Sequence, residues 1–104
     1  MVTRGDICWA ELPEEGRRPV LVLTRAEAIP VLKRVMVAPV TRTIRGLPTE
    51  VRLGEEDGLP DECAASFDNV RSASRVLLSE PIATLSGARM HDVCRALAIA
   101  TGCD

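Results

Sequence analysis

Two short apolar runs constrain this chain more than any other feature. Residues 19–24 (Pro-Val-Leu-Val-Leu-Thr) and 34–40 (Arg-Val-Met-Val-Ala-Pro-Val) are almost unbroken, rich in valine and short. Branching at Cβ stiffens a side chain in a helix and suits it to a pleated surface. Both runs therefore read as buried strands. Turn-forming residues divide the rest of the chain. Pro13-Glu14-Glu15-Gly16 and Gly46-Leu47-Pro48 are breaks, and residues 25–33 connect the two runs with a helical turn before Pro30. Residues 6–12 read as a first strand with Ile7, Trp9 and Leu12 facing inward. Residues 49–53 alternate, with Val51 and Leu53 opposed to Glu50 and Arg52. Residues 54–60 read as an acidic, solvated loop. Residues 63–70 alternate with Cys63, Ala65 and Phe67 on one side. A short strand is expected at 76–78 and an edge piece within 81–85.

The period changes at the end. Ser86 is a good N-cap, because its hydroxyl can accept from an unpaired amide of the first turn. Met90, Val93, Cys94, Leu97 and Ala98 then recur at helical spacing, and Gly102 is a natural stop. One amphipathic helix is expected over 87–101. Many short strands closed by one helix predict a mainly β fold: a compact, strongly curved barrel with the helix packed on it. With 104 residues and no repeat or linker, the expectation is one domain over 1–104.

Composition narrows the function. Trp9 and Phe67 are the only large rings, which argues against a single-stranded nucleic-acid binder that works mainly by stacking. No apolar signal region opens the chain and no run approaches a membrane span, so a cytoplasmic protein is expected, with no membrane partner. Cys8, Cys63, Cys94 and Cys103 lie far apart, which suits neither a zinc knuckle nor a redox pair. They are expected to be buried thiols, with Cys103 the exposed one. The net charge is −2, but it is unevenly spread. Residues 17–52 hold eight bases against Glu27 and Glu50; residues 55–68 hold six acids and no base. Lys33 is the only lysine. Arginine forks onto phosphate, although a row of solvated arginines has the same composition.

Five segments can be taken together: Arg4-Gly5-Asp6-Ile7-Cys8-Trp9, Arg18-Pro19-Val20-Leu21-Val22-Leu23-Thr24, Val37-Ala38-Pro39-Val40-Thr41, Phe67-Asp68-Asn69-Val70-Arg71 and Ser74-Arg75-Val76. In order and spacing they resemble the MazF/PemK family of toxin endoribonucleases over nearly the whole chain. The resemblance implies an SH3-like barrel, a homodimer, and cleavage of single-stranded RNA at short motifs. It also implies a cognate antitoxin whose acidic, disordered tail covers the RNA groove. The family's catalytic arginine and threonine match Arg18 and Thr41. The chain departs from the pattern in three places. The loop Glu14-Glu15-Gly16-Arg17 is short where many relatives have a longer one with Gly-x-Glu, leaving Glu15 as the nearest counterpart of that acid. Arg42 follows Thr41 where many relatives have Ser, and Asn69 stands where Gln is usual.

The residues admit this chemistry. RNA is cut without metal when its 2′-OH attacks the adjacent phosphorus, leaving a 2′,3′-cyclic phosphate and a 5′-OH. An enzyme must then stabilise the phosphorane and manage two protons. His91 is the only histidine, so one chain offers no histidine pair. The acidic stretch lacks calcium-loop spacing, and neither a metal nor a cofactor is expected. Arg18 can hold phosphorane charge and Thr41 can donate one positioned hydrogen bond. Glu15 is a possible acid or base, and the general base stays open. Arg17, Arg42 and Arg45 are candidate phosphate contacts; Asp68 and Asn69 are candidate readers of base edges; Trp9 and Phe67 are expected in the core. The ordinary alternatives are that Arg18 pairs with a carboxylate at a strand edge and that Thr41 is only a β-former. Two other functions share the barrel: a toxin that binds DNA gyrase through its C-terminal helix, and a non-catalytic SH3-like binding module.

Overall fold

The valine-rich runs become the middle of a curled sheet whose core lies on both of its faces. The structure, a computed structural model, describes residues 1–104. Its strands are β1 (Asp6–Leu12), β2 (Gly16–Val22), β3 (Arg34–Thr41), β4 (Glu50–Leu53), β5 (Cys63–Ser66), β6 (Arg71–Ser74) and β7 (Ala83–Thr84); the helix is α1 (Gly87–Thr101). All pairings are antiparallel, in the order β4-β5-β3-β2-β1-β7, with β6 also on β3.

Successive side chains of a strand point to opposite faces. One face carries Ile7, Leu21, Ala38 and Val40, and α1 covers it with Val93 and Ala96. The other carries Cys8, Ala10, Val20, Val22, Val35 and Val37, and is covered by Ile29 and Ala73. A strand covered on both faces has no polar side, which is why these runs are unbroken in apolar residues.

β3 positions the site. Along one edge it pairs with β2 at Val37, Ala38 and Pro39. Along the other it pairs first with β6 (Arg34–Val37) and then with β5 (Val40 and Thr41). Residues 67–70 interrupt that second edge, so β5 and β6 are two halves of one broken partner. The expected strand over 63–70 therefore stops at Ser66, and the chain resumes extended structure at Arg71, where only Ala73 is buried to signal it.

Several other expectations are corrected. Residues 75–77 form a 3-10 turn, not a strand. Arg75 Nη1 ties this turn to the carbonyls of Ile29 (3.2 Å) and Pro30 (2.9 Å), and Val76 is left 83% exposed. The acidic segment is not wholly solvated. Asp57 is buried; it accepts from Gly54 N–H at 3.1 Å and from Arg89 Nε at 2.9 Å. Trp9 shares a face with Ile7 but lies beyond the cover of the helix and is 37% exposed. Of the cysteines, Cys8 and Cys63 are buried, and both Cys94 and Cys103 are exposed. Cys94 points out because the inner face of α1 is Val93 and Ala96, flanked by Met90, Leu97 and Ala100.

The helix itself runs as expected. Ser86 Oγ accepts from Arg89 N–H at 3.2 Å. At the other end Gly102 adopts φ 74°, the left-handed conformation that lets Cys103 N–H reach back to Ala98 O at 2.8 Å.

Candidate functional site

Arg18 sits on β2 opposite Ala10 of β1, with its side chain exposed. Thr41 is the last residue of β3, half-buried. The β2–β3 register pairs Val20 with Pro39. Carried two residues further, it sets Arg18 across from Thr41, at the point where β3 has left β2 for β5. Equal spacing from a paired position puts both side chains on the same face.

Their local bonding differs. Thr41 Oγ1 accepts from Thr43 N–H at 3.1 Å. With that lone pair engaged, the hydroxyl proton is free to be donated outward. Five other arginines form the chain's ion pairs with carboxylates: Arg25, Arg42, Arg52, Arg71 and Arg89. Arg18 is not among them, which removes the reading of it as a strand-edge arginine neutralised by a carboxylate. Its five donors remain available.

The other site residues fall into three groups. Asp68 and Asn69 lie in the 67–70 interruption, beside the segment of β3 that leads to Thr41. Asp68 Oδ2 accepts from Thr49 Oγ1 at 2.6 Å, and Asn69 Nδ2 donates to Ser66 Oγ at 3.1 Å. Both are exposed and held in place. Arg45 lies in the loop after β3; its backbone N–H and that of Gly46 each donate to Glu50 Oε1 at 3.1 Å. Arg42 is in an exposed pair with Asp61, Nη2 to Oδ2 3.1 Å. Arg17 is not brought to Arg18: it faces the other way, its guanidinium 5.0 Å from the centre of the Trp9 ring.

Glu15 is engaged as well. It closes the β1–β2 turn and forms an ion pair with Arg71 of β6. Arg71 stands opposite Val37 of β3, and alternation places it on the same face as Val37, Val20 and Arg18. Sequence reasoning quoted Arg71 within a family segment but gave it no role. Nothing in its local pattern signals one, since the fold alone brings β6 to the hairpin turn. The neighbouring Glu14 has φ 70°, strained for a residue with a Cβ. His91 is exposed on α1. No three His, Cys, Asp or Glu side chains cluster where they could hold a metal ion.

A curled antiparallel sheet closed by a C-terminal helix, with an unneutralised arginine at the edge of the sheet, is also the frame of known toxins. The structure described as "Mycobacterium tuberculosis toxin MazF-mt6" matches with a TM-score of 0.87 at 35% identity, covering 95% of this chain and 98% of that one. A second, described as "Endoribonuclease in complex with its cognate antitoxin from Mycobacterial species", matches with a TM-score of 0.87 at 25% identity, covering 100% and 98%. A relative named "Probable endoribonuclease MazF5", from Mycobacterium tuberculosis, is 46% identical over 101 residues, which are 96% of this chain and 93% of that protein. The chain belongs to the family described as PemK-like, MazF-like toxins of type II toxin-antitoxin systems, which it matches over residues 3–101.

Proposed function

We propose that this chain is the toxin of a type II pair and a metal-independent endoribonuclease that cuts single-stranded RNA at short sequence motifs, and so arrests translation and growth. The observation that carries the reading is Arg18: an exposed arginine with no carboxylate partner, set by the sheet register across from Thr41. The naming of relatives as endoribonucleases favours it over the gyrase-binding and non-catalytic alternatives.

In the reaction the 2′-oxygen attacks phosphorus and the P–O5′ bond breaks. The products are a 2′,3′-cyclic phosphate and a 5′-OH. Negative charge accumulates on the non-bridging oxygens of the phosphorane. Arg18 meets it with two parallel donors and a permanent charge. Thr41 donates its free hydroxyl proton to one of the same oxygens. The 2′ proton must leave and the 5′-oxygen must gain one. Glu15 is the carboxylate of the hairpin turn, and its contact with Arg71 would have to open before it could serve. Arg45 contacts flanking phosphate, and Arg42 does so once released from Asp61. Asp68 and Asn69 read base edges of splayed RNA. Arg17 contributes charge on the neighbouring face. Neither metal nor cofactor takes part.

The proposed partners follow from the same surface. A disordered antitoxin tail rich in acidic residues would compete with RNA for the free arginines, and the toxin acts as a homodimer in the cytoplasm. The test is incubation of the purified protein with single-stranded RNA in excess chelator, followed by analysis of the fragment ends. Cyclic-phosphate ends that disappear with Arg18→Ala are expected. Intact RNA, or cutting only after metal is added, would overturn the proposal.

A further inference from the structure

Where β3 leaves β2 for β5, the two halves of the sheet part and a cavity of about 170 Å³ remains on the Ile7 face. Trp9, Pro19, Val40, Leu59, Cys63 and Ile82 supply its apolar lining. Thr41, Arg42 and Asp61 supply the polar part. α1 does not fill it: the helix packs Val93 and Ala96 against the same core but lines no part of this space. The Trp9 ring is 37% exposed and carries the Arg17 guanidinium over it.

We infer that this cavity is a specificity pocket that receives the nucleobase next to the phosphate held at Arg18 and Thr41. The inference rests on the reading of RNA as substrate and deepens it. A nucleobase has apolar faces and a polar rim, and the cavity offers apolar walls with polar groups on one part of its lining. Its volume is several times the roughly 30 Å³ share of one water molecule. Thr41 belongs to both sites, so a nucleotide whose phosphate meets the Thr41 hydroxyl has its neighbouring base at the cavity. The Arg42–Asp61 pair presents donors and an acceptor together at 3.1 Å. Its side chains are 83% and 59% exposed, so exchanging each other for a base costs little. Asp61, as a carboxylate, accepts only, and therefore selects bases that carry an exocyclic amine. Adenine, cytosine and guanine qualify, and uracil does not.

Trp9 is the only tryptophan, so its fluorescence reports on the cavity directly. The experiment has two arms. In the first, the protein is titrated with uncleavable 2′-deoxy oligonucleotides that differ only in the bases flanking the scissile position. In the second, cleavage of the matching RNAs is compared for wild type, Asp61→Asn and Cys63→Met. Amine-bearing bases should change Trp9 fluorescence more than uracil and be cut preferentially. Asp61→Asn should shrink that preference roughly tenfold, because the acceptor that discriminates is gone. Cys63→Met fills the cavity and should abolish the fluorescence response. Asp61 is exposed, so its substitution keeps the test valid if Cys63→Met fails to fold. A response indifferent to base identity, or a preference unchanged in Asp61→Asn, would overturn the inference. So would a response to an acidic, apolar peptide with none to oligonucleotides, which would make the cavity a peptide anchor. Base-selective quenching by RNA that wild type leaves uncut would sustain the pocket and defeat the nuclease reading.

Discussion

Arg17 and Arg18 are adjacent in the chain and reach opposite faces of β2, because a strand turns successive side chains apart. Arg17 lies over Trp9, whereas Arg18 is unpartnered on the face shared with Thr41. Arg18→Ala should lower the cleavage rate about a thousandfold, the upper end of what one transition-state donor supplies. Thr41→Val, with the proton removed and the shape kept, should cost about a hundredfold. Neither change should move the thermal midpoint by more than a few degrees, since neither side chain is buried; single-turnover kinetics and melting curves check both. The identity of this pair was legible only through the family resemblance. The availability of Arg18 was not legible, because it depends on where every carboxylate falls in space. Cys8 behaves differently. Burial, and to a lesser extent the nearby charge of Asp6, push its thiol from about 9 to about 11. The folded state therefore holds that proton where the unfolded state has lost it. Stability should be constant below pH 8 and fall between about pH 9 and pH 11, by about 3 kcal/mol in total. Urea midpoints against pH should show this slope in wild type and lose it in Cys8→Ala.

At the scale of elements, the helix and the central strands were readable and the edge pieces were not. β2, β3 and α1 are long enough for their hydrophobic period to outweigh local choice, and Ser86 and Gly102 punctuate the helix. β6 has one buried residue, Ala73, between two serines, and it is extended because β3 offers an edge. The turn at 75–77 carries a strand-like Val-Leu-Leu pattern, but the arginine before it reaches the carbonyls of Ile29 and Pro30 and holds the chain in a turn. The acidic segment also concealed a structural role. Asp57 is buried and is bonded by Arg89 from α1, which also reaches Asp92 at 2.8 Å and the carbonyl of Arg52. These contacts tie the helix to the end of β4; the bond to Asp57 is the chief reason the Arg89 guanidinium is raised above its usual range. Arg89→Met leaves the buried carboxylate of Asp57 without its counter-charge. It should cost about 3 kcal/mol, or roughly 15 °C in Tm. Ser86→Ala removes one cap bond and should cost about 1 kcal/mol. Thermal denaturation of the two variants should rank them in that order.

At the scale of the whole molecule, a chain of net charge −2 is expected to bind a polyanion only because its charge is sorted. The fold removes several arginines from the count by pairing them: Arg52 with Glu62, Arg71 with Glu15, and Arg89 with Asp57 and Asp92. Arg17, Arg18 and Arg45 stay without a carboxylate. RNA binding should therefore weaken with salt, each phosphate contact adding roughly 0.7 to the slope of log K against log salt concentration. Arg45→Ala should lower that slope by about one such contact in filter-binding assays, and an unchanged slope would remove Arg45 from the RNA path. The central claim is narrower than binding: the RNA's own 2′-OH is the nucleophile, and Arg18 and Thr41 stabilise the phosphorane it forms. The most direct measurement uses a short RNA containing the cleaved motif, and its twin with a single 2′-deoxy sugar at the scissile nucleotide, both in chelator. The account predicts that the all-ribose strand is cut to a cyclic phosphate, while the deoxy twin binds equally well and stays intact. Cleavage of both at the same rate would contradict it.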